Sequence, residues 1–335
     1  MNSVNKTNSE DLFQKIAGLL KEARLSVVRS INQTMVYTYF QVGKMIVEQE
    51  QQGEKRAEYG KKLIKELSDK LANEFGKGFS ITNLQQMKNF FLFYQKQQTA
   101  SAKSDFRLSW SHYLKLMRIK DADERNFYEI EAINSNWSLR ELQRQFDSAL
   151  YQRLVLSRDK KGIKDLSEKG QIISEPKDSL KDPYILEFIG LPEESIYTET
   201  TLEQKLIDKL EHFLLELGKG FTFVGRQVRF TFNEKHFRVD LVFYNRILKS
   251  FVLIDLKIGE IKHQDLGQMQ MYVNYYDRFV KLDDENKTIG IILCKDKDDT
   301  LVEISLPEDN KQIFASRYQT VLPSKDELKK LIENK

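Results

Sequence analysis

Apolar positions in the first half of the chain recur at intervals of three and four residues. In "DLFQKIAGLLKEARLSVVRSINQTMVYTYFQVGKMIVEQEQQ" the residues Leu12, Ile16, Leu19 and Leu20 fall on one side of a helix. The same spacing in "YGKKLIKELSDKLANEFG" predicts a second helix, with Gly76 placed to end it. After "GKGF", Ser80 is positioned to cap a helix running through "ITNLQQMKNFFLFY". The small polar stretch "QKQQTASAKSD" reads as a loop. Helical periodicity resumes from "LSWSHYLKLMRI" to "LQRQFDSALYQRLV", and no proline occurs before Pro176. These patterns predict an all-α domain over residues 1–160.

Beyond it the pattern changes. Residues 161–182 are polar and read as a linker, and residues 183–335 read as a second domain. There "TLEQKLIDKLEHFLLELGKG" has a helical stripe of Leu202, Leu206, Leu210, Phe213, Leu214 and Leu217. "FTFVGRQVRFTF" and "FRVDLVFYNRILKSFVLIDLKIG" supply strands, "QDLGQMQMYVNYYDRFV" another amphipathic helix, and "TIGIILC" a buried strand. Helices interleaved with strands make this an α/β domain.

Composition adds little beyond this. The chain of 335 residues is long enough for two domains, and 40% apolar with 31% charged residues suits a soluble protein. No run approaches the ~18 apolar residues needed to span a bilayer. The start "MNSVNKTNSEDLFQ" lacks the basic and apolar regions of a secretory signal. The single cysteine, Cys294, sits in the apolar run "IGIILC" and reads as a buried structural thiol. A cytoplasmic location is the expectation. A net charge of +3 does not by itself argue for nucleic acid.

The chemistry concentrates in the hairpin. With its turn centred between Ile247 and Leu248, Asp240 lies opposite Asp255 and Arg238 opposite Lys257. One face then carries Phe237, Val239, Leu241 and Phe243 against Ile258, Leu256, Ile254 and Val252, all apolar. A one-residue slip would drive both aspartates into that layer. Opposed carboxylates, with Cβ atoms about 5 Å apart, repel one another. Arg238 and Lys257, a shared proton or a divalent cation could each offset the repulsion, and hard cations favour such oxygen ligands. The hairpin alone leaves open an ion-paired surface patch as well as a metal site.

Asp240, fourteen residues, then Asp255-Leu256-Lys257 resembles the D…(D/E)-x-K signature of the PDDEXK nuclease superfamily. Gln268 and Tyr272 in "GQMQMYVNYYD" are similar to the Q-x-x-x-Y helix of its RecB-like members, and Glu203 matches an acidic residue of the preceding helix. With "INQTMVYTYFQVGKMIVEQEQQ", "LSWSHYLKLMRI", "NWSLRELQRQF" and "LLELGKGFTFVGRQ", nearly the whole chain resembles the YhcG-like PDDEXK nucleases of bacteria. Asp255 stands where glutamate is commoner. The resemblance implies a restriction-endonuclease-like α/β domain with a central mixed sheet, and metal-dependent hydrolysis of phosphodiesters. It implies Mg2+ or Mn2+ held by Asp240, Asp255, the backbone of Leu256 and Glu203, with Lys257, Gln268 and Tyr272 completing the catalytic set.

In the helical half, "LIKELSDKLANEFGKGFSITNLQQMKNFFLFY" reads helix, glycine turn, helix. A helix-turn-helix presents its second helix to the major groove, and Thr82, Asn83, Gln85, Gln86 and Lys88 suit phosphate and base contacts. The segment "LSWSHYLKLMRIKDADERNFYEIEAINSNWSLRELQRQF" resembles the helical DNA-binding part of ParB-like proteins. There Ser138 and Glu141 have capping-box spacing, and Arg140 and Arg144 follow. A plain helical scaffold or dimerisation domain is the alternative. The expectation is a DNA endonuclease of restriction, repair or mobile-element defence. A DNA-binding accessory protein that no longer cuts, or an RNA nuclease, are the competing readings. A double-strand cutter usually has two active sites, so a homodimer is the expectation.

Overall fold

The computed structural model describes residues 4–52, 57–95, 106–156, 160–191, 197–232 and 234–326, with 328 and 330 beyond them. The loop expected over 95–105 lies outside the described residues but for Gln95. The chain divides into two compact units, Met1–Leu142 and Gln143–Lys335. In chain order the helices are α1 (Val4–Gln52), α2 (Ala57–Phe75), α3 (Ile81–Tyr94), α4 (Trp110–Leu116), α5 (Ala122–Asn134), α6 (Leu139–Asp147), α7 (Leu150–Leu156) and α8 (Lys160–Lys169). Then come β1 (Tyr184–Ile185), α9 (Glu199–Asp208), α10 (Leu210–Leu217), β2 (Phe221–Phe232), β3 (Lys235–Asn245) and β4 (Ser250–Glu260). The chain continues with α11 (His263–Phe279), β5 (Ile289–Asp296), α12 (Asp299–Ser305) and β6 (Ile313–Gln319). No helix among the described residues is long and apolar enough to cross a membrane.

In the first unit, α2 ends at Gly76, whose φ of 87° suits glycine, and a tight turn leads to α3. Ser80 caps α3 by accepting from the Asn83 amide at 3.3 Å. The hydrophobic stripe of α3 meets α1 closely. A Cβ added at Gly43 of α1 would stand 2.1 Å from the carbonyl oxygen of Met87, so only glycine permits this approach. Around the contact Phe90 collects rings: Phe40 at 5.9 Å, Tyr94 and Phe106 at 4.9 Å, Tyr113 at 5.1 Å and Trp110 at 5.3 Å. The first part of α1 lacks such cover, and Leu12, Ile16, Leu19, Leu20, Val27, Val28 and Ile31 are all exposed.

The second unit is a six-stranded mixed sheet of order β1-β6-β5-β4-β3-β2 with helices on both faces. β2, β3 and β4 are antiparallel neighbours, while β4, β5, β6 and β1 run parallel. Alternation sorts the side chains. Val252, Ile254 and Leu256 of β4 face α9 and α10 with Leu202, Leu206, Phe213 and Leu217. Leu253 of β4 and Ile292 and Cys294 of β5 join α11 through Leu266, Met269, Tyr272, Val273 and Tyr276. Cys294 is buried, and burial pushes its thiol up to about 11.

The hairpin has the expected register, with Leu241 opposite Ile254 and Asn245 opposite Ser250. Asn245 closes it. Its Oδ1 accepts from the amides of Ile247 at 3.0 Å and Leu248 at 3.1 Å. The turn also depends on Gly220, at φ 85°, where a Cβ would press on Asn245 at 2.8 Å. The all-apolar face is shorter than the alternation predicts. Leu241 and Phe243 lie on it, but Phe237 and Val239 pack with the opposite layer, and Ile258 is 38% exposed. The change falls at Asp240, opposite which Gln227 of β2 takes a φ of 47° and interrupts the regular pleat.

Arg144 and Arg153 tie α6 and α7 to the sheet unit. Arg153 is fully buried, donating to Glu216 at 2.6 Å, the Pro183 carbonyl at 3.0 Å and the Ser148 carbonyl at 2.9 Å. Glu216 of α10 also accepts from the Ile185 amide at 2.9 Å and faces Arg144 at 3.4 Å. Burial alone would raise this carboxyl, but Arg153, Lys181 and Arg144 hold it down at about 2.

Candidate active site

The β3–β4 ladder stops at Leu241 and Ile254. One step on stand Asp240 and Asp255, after which β3 pairs only with β2 and β4 only with β5. A polar side chain takes over where the ladder ends. The Leu256 amide donates to Asp240 Oδ2 at 2.8 Å. Asp240 Oδ1 accepts from Gln227 Nε2 at 3.0 Å, and the same nitrogen donates to Glu203 Oε2 at 2.5 Å. Gln227 thus joins the acidic residue of α9 to that of β3.

Asp255 is 2% exposed, and its Oδ2 is enclosed. Lys257 Nζ stands 2.8 Å from that oxygen as an ion partner and 3.9 Å from Glu199. Burial, then the charge of Asp240, raises the Asp255 carboxyl to about 7 despite Lys257. Burial works against the Lys257 ammonium, but Asp255 more than reverses that, with help from Glu199 and Asp265, so its pKa is raised. Glu203 is raised too, by burial first and by Asp240, against the bond from Gln227. On α11, Gln268 Nε2 donates to the Tyr272 hydroxyl one turn on. Burial raises the Tyr272 pKa, and the charges of Asp255 and Asp240 act in the same direction.

Asp240, Asp255, Lys257, Glu203, Gln268 and Tyr272 therefore all lie around the end of the hairpin ladder. Two participants went unnoticed in the sequence. Glu199 precedes Glu203 by one helical turn, an i, i+4 spacing that could have flagged it. Gln227 carries no comparable signal, because its role depends on a left-handed backbone.

No group of three or more His, Cys, Asp or Glu side chains is gathered as a metal cage among the described residues. A hard cation of the magnesium type does not require one, since one or two carboxylates with water and substrate oxygens suffice. The enclosed Asp255 carboxylate beside that of Asp240 offers hard oxygen donors of that kind.

The residues expected to touch DNA fall into two groups. Thr82, Gln85 and Arg140 are exposed, and Gln86 is half-buried. The others have internal partners. Asn83 donates to the Gly78 carbonyl at 2.5 Å and accepts from Trp110 at 3.0 Å, while Lys88 pairs with Glu50 at 2.5 Å. Ser138 and Glu141 form the expected reciprocal cap. Arg144 is engaged by Glu187 at 3.0 Å and by Glu216 within the second unit.

Residues 15–153 match the DUF1016 N-terminal domain and residues 177–333 the YhcG PDDEXK nuclease domain. The chain is 38% identical to "Putative nuclease YhcG" of Escherichia coli (strain K12), over 95% of this chain and 92% of that protein. Two solved structures share weaker likeness, each with a TM-score of 0.26. One is "crystal structure of a repair endonuclease from Pyrococcus abyssi", 12% identical over 39% of this chain and 50% of that chain. The other is "Structure of EndoMS-dsDNA2 complex", 15% identical over 40% and 50%. An N-terminal DUF1016 domain, a mixed-sheet PDDEXK domain and this similarity over nearly its full length place the chain in the YhcG family of PDDEXK nucleases.

Proposed function

We propose that this protein is a divalent-metal-dependent DNA endonuclease whose helical unit contacts duplex DNA. The observation that carries the reading is the end of the hairpin ladder, where Asp240 and Asp255 meet with Lys257 beside them. Asp240, Asp255, the backbone carbonyl of Leu256 and Glu203 would hold Mg2+ or Mn2+. Such an ion supplies Lewis acidity to a phosphoryl oxygen and makes a bound water more acidic.

The protein groups divide the remaining work. Gln227 and the Leu256 amide orient the Asp240 carboxylate by two hydrogen bonds. Lys257, its pKa raised, keeps its proton at neutral pH. It would orient the attacking water or meet the negative charge that develops on the phosphoryl oxygens. Gln268 and Tyr272 position the substrate from α11. Thr82, Gln85, Gln86 and Arg140 supply the contacts of the helical unit to DNA, supported by the internal bonds of Asn83, Lys88 and Ser138.

Cleavage of a DNA panel should require a divalent ion and fall at least about a hundredfold in Asp240→Ala and in Lys257→Ala. Circular dichroism should show both variants folded. Equal cleavage by the wild type and both variants would assign the activity to a contaminant and end the proposal. A homodimer completes the reading, since cutting both strands of a duplex in one binding event uses two such sites. The exposed stripe of Leu12, Ile16, Leu19 and Ile31 on α1 supports self-association. Sedimentation should show a dimer that Ile16→Lys with Leu19→Lys converts to monomer; an unchanged dimer would exclude this stripe.

A further inference from the structure

On the outer side of β2 and β3, two cavities meet at Met271 of α11. The first, about 670 Å³, is lined by Arg229, His236, Arg238, Gln268 and Tyr272. The second, about 330 Å³, is lined by Phe230, Phe232, Tyr275, Arg278 and Phe279. Among the described residues, no carboxylate lines either one.

The first cavity gathers positive charge against its own electrostatics. Arg229 and Arg238 face each other directly across the β2–β3 ladder, where like charges repel. Arg229 Nη2 lies 2.9 Å from His236 Nε2, a contact that brings no negative charge. Two opposed arginines repel one another, whereas a phosphate would take donors from both.

The second cavity gathers rings in a row. Phe237 stacks on Phe230 at 5.6 Å, Phe230 on Tyr275 at 4.1 Å, and Tyr275 meets Phe279 at 5.2 Å. Phe230 is buried, yet Phe279 is 67% and Phe232 52% exposed. The row begins in the basic cavity, since Phe237 lines it, and ends at the open rings. A basic track leading to aromatic faces is the pairing that holds unpaired nucleotides, because phosphates take the cations and bases stack on the rings. Bases within a duplex have their faces covered and cannot do this.

We propose that this face holds a single-stranded segment of nucleic acid, with phosphates on Arg229 and Arg238 and bases on Phe232, Tyr275 and Phe279. It deepens the nuclease reading, on which it rests for the identity of the substrate. The enzyme's substrate would then carry an unpaired strand, such as a flap, gap or end, beside the bond to be cut. Tyr272 and Gln268 line the basic cavity as well as belonging to the catalytic set, so the strand would approach the reacting phosphate from this side.

Binding of labelled oligothymidylate and of a blunt duplex to the full chain, without divalent ions, tests this directly. Phe232→Ala with Phe279→Ala removes only exposed rings and should weaken the single strand at least about tenfold while leaving the duplex unchanged. Arg229→Ser with Arg238→Ser should flatten the salt dependence of single-strand binding by about 1.4 in log–log slope. Unchanged single-strand affinity in the ring variant would overturn the inference, as would rings whose loss only dissolves a dimer. Cleavage assays of the same variants separate the two readings. Ring-dependent strand binding without any metal-dependent cleavage would leave this face assigned and the nuclease reading refuted; ring-independent binding beside active cleavage would do the reverse.

Discussion

At the scale of single residues, the site is built from charges that cannot all be satisfied by one another. Asp255 is buried beside Asp240, and Lys257 only partly offsets the two. Such a cluster costs folding stability, and clusters of this kind concentrate at functional sites. Gln227 limits that cost by holding Glu203 and Asp240 with one amide nitrogen. On the proposed metal-dependent reading, Gln227→Ala should reduce both metal affinity and cleavage rate by about tenfold to a hundredfold, the usual effect of losing a residue that orients metal ligands. Calorimetric titration with Mn2+ beside a cleavage time course would measure both. An unchanged affinity would reduce Gln227 to a packing role. The aspartates and lysine were legible because they interrupt an apolar hairpin. Gln227 was not, since its left-handed φ at a strand irregularity has no signature in a polar residue of an ordinary strand.

At the scale of elements, local patterning was reliable where one face is buried. The helices ending at Gly76 and starting at Ser80 follow from backbone freedom and capping chemistry, which act over a few residues. The hairpin register follows from Leu241, Phe243, Val252 and Ile254, apolar positions that cannot be turned to water. The same argument overreached at Phe237 and Val239, because β3 leaves β4 at Asp240 and its alternation changes there. How closely two helices pack is another matter. Gly43 in α1 looks like a poor helix former, yet it lets Met87 of α3 approach. Gly43→Ala should force the helices apart and destabilise the first unit by about 1–3 kcal/mol, the usual cost of overpacking. Urea unfolding of the full chain, followed through Trp110 and Trp137, would read it. A gain in stability from the better helix former would show that the contact relaxes easily.

At the scale of the whole molecule, the buried Arg153–Glu216 pair joins α7 to α10 inside the sheet unit. Glu216 is depressed from 4.5 to about 2, so its contribution is complete above about pH 4.5 and lost as pH falls through 2. The shift corresponds to about 3 kcal/mol of stability at neutral pH. Glu216→Gln should lose about 3–5 kcal/mol at neutral pH, because Arg153 is left buried without its counter-charge. Its stability should also fall less steeply than the wild type's between pH 4.5 and 2. Scanning calorimetry over that range would show both effects. Parallel acid limbs in the two proteins would mean that Glu216 does not govern the acid transition.

The sequence by itself determined what depends on neighbours along the chain: helix or strand, caps and turns, the register of the hairpin and the order of its charged residues. Those follow from periodicity and backbone sterics, which operate within a turn or a ladder. Only the tertiary structure decided which charged groups face one another, from Gln227 between Glu203 and Asp240 to Arg144 and Arg153 on Glu216. It also decided that the basic pair of β2 and β3 adjoins a row of rings contributed in part by α11. Charge and ring contacts between elements form through space at separations in sequence that no local period encodes, so they become legible only once the sheet has brought the strands together.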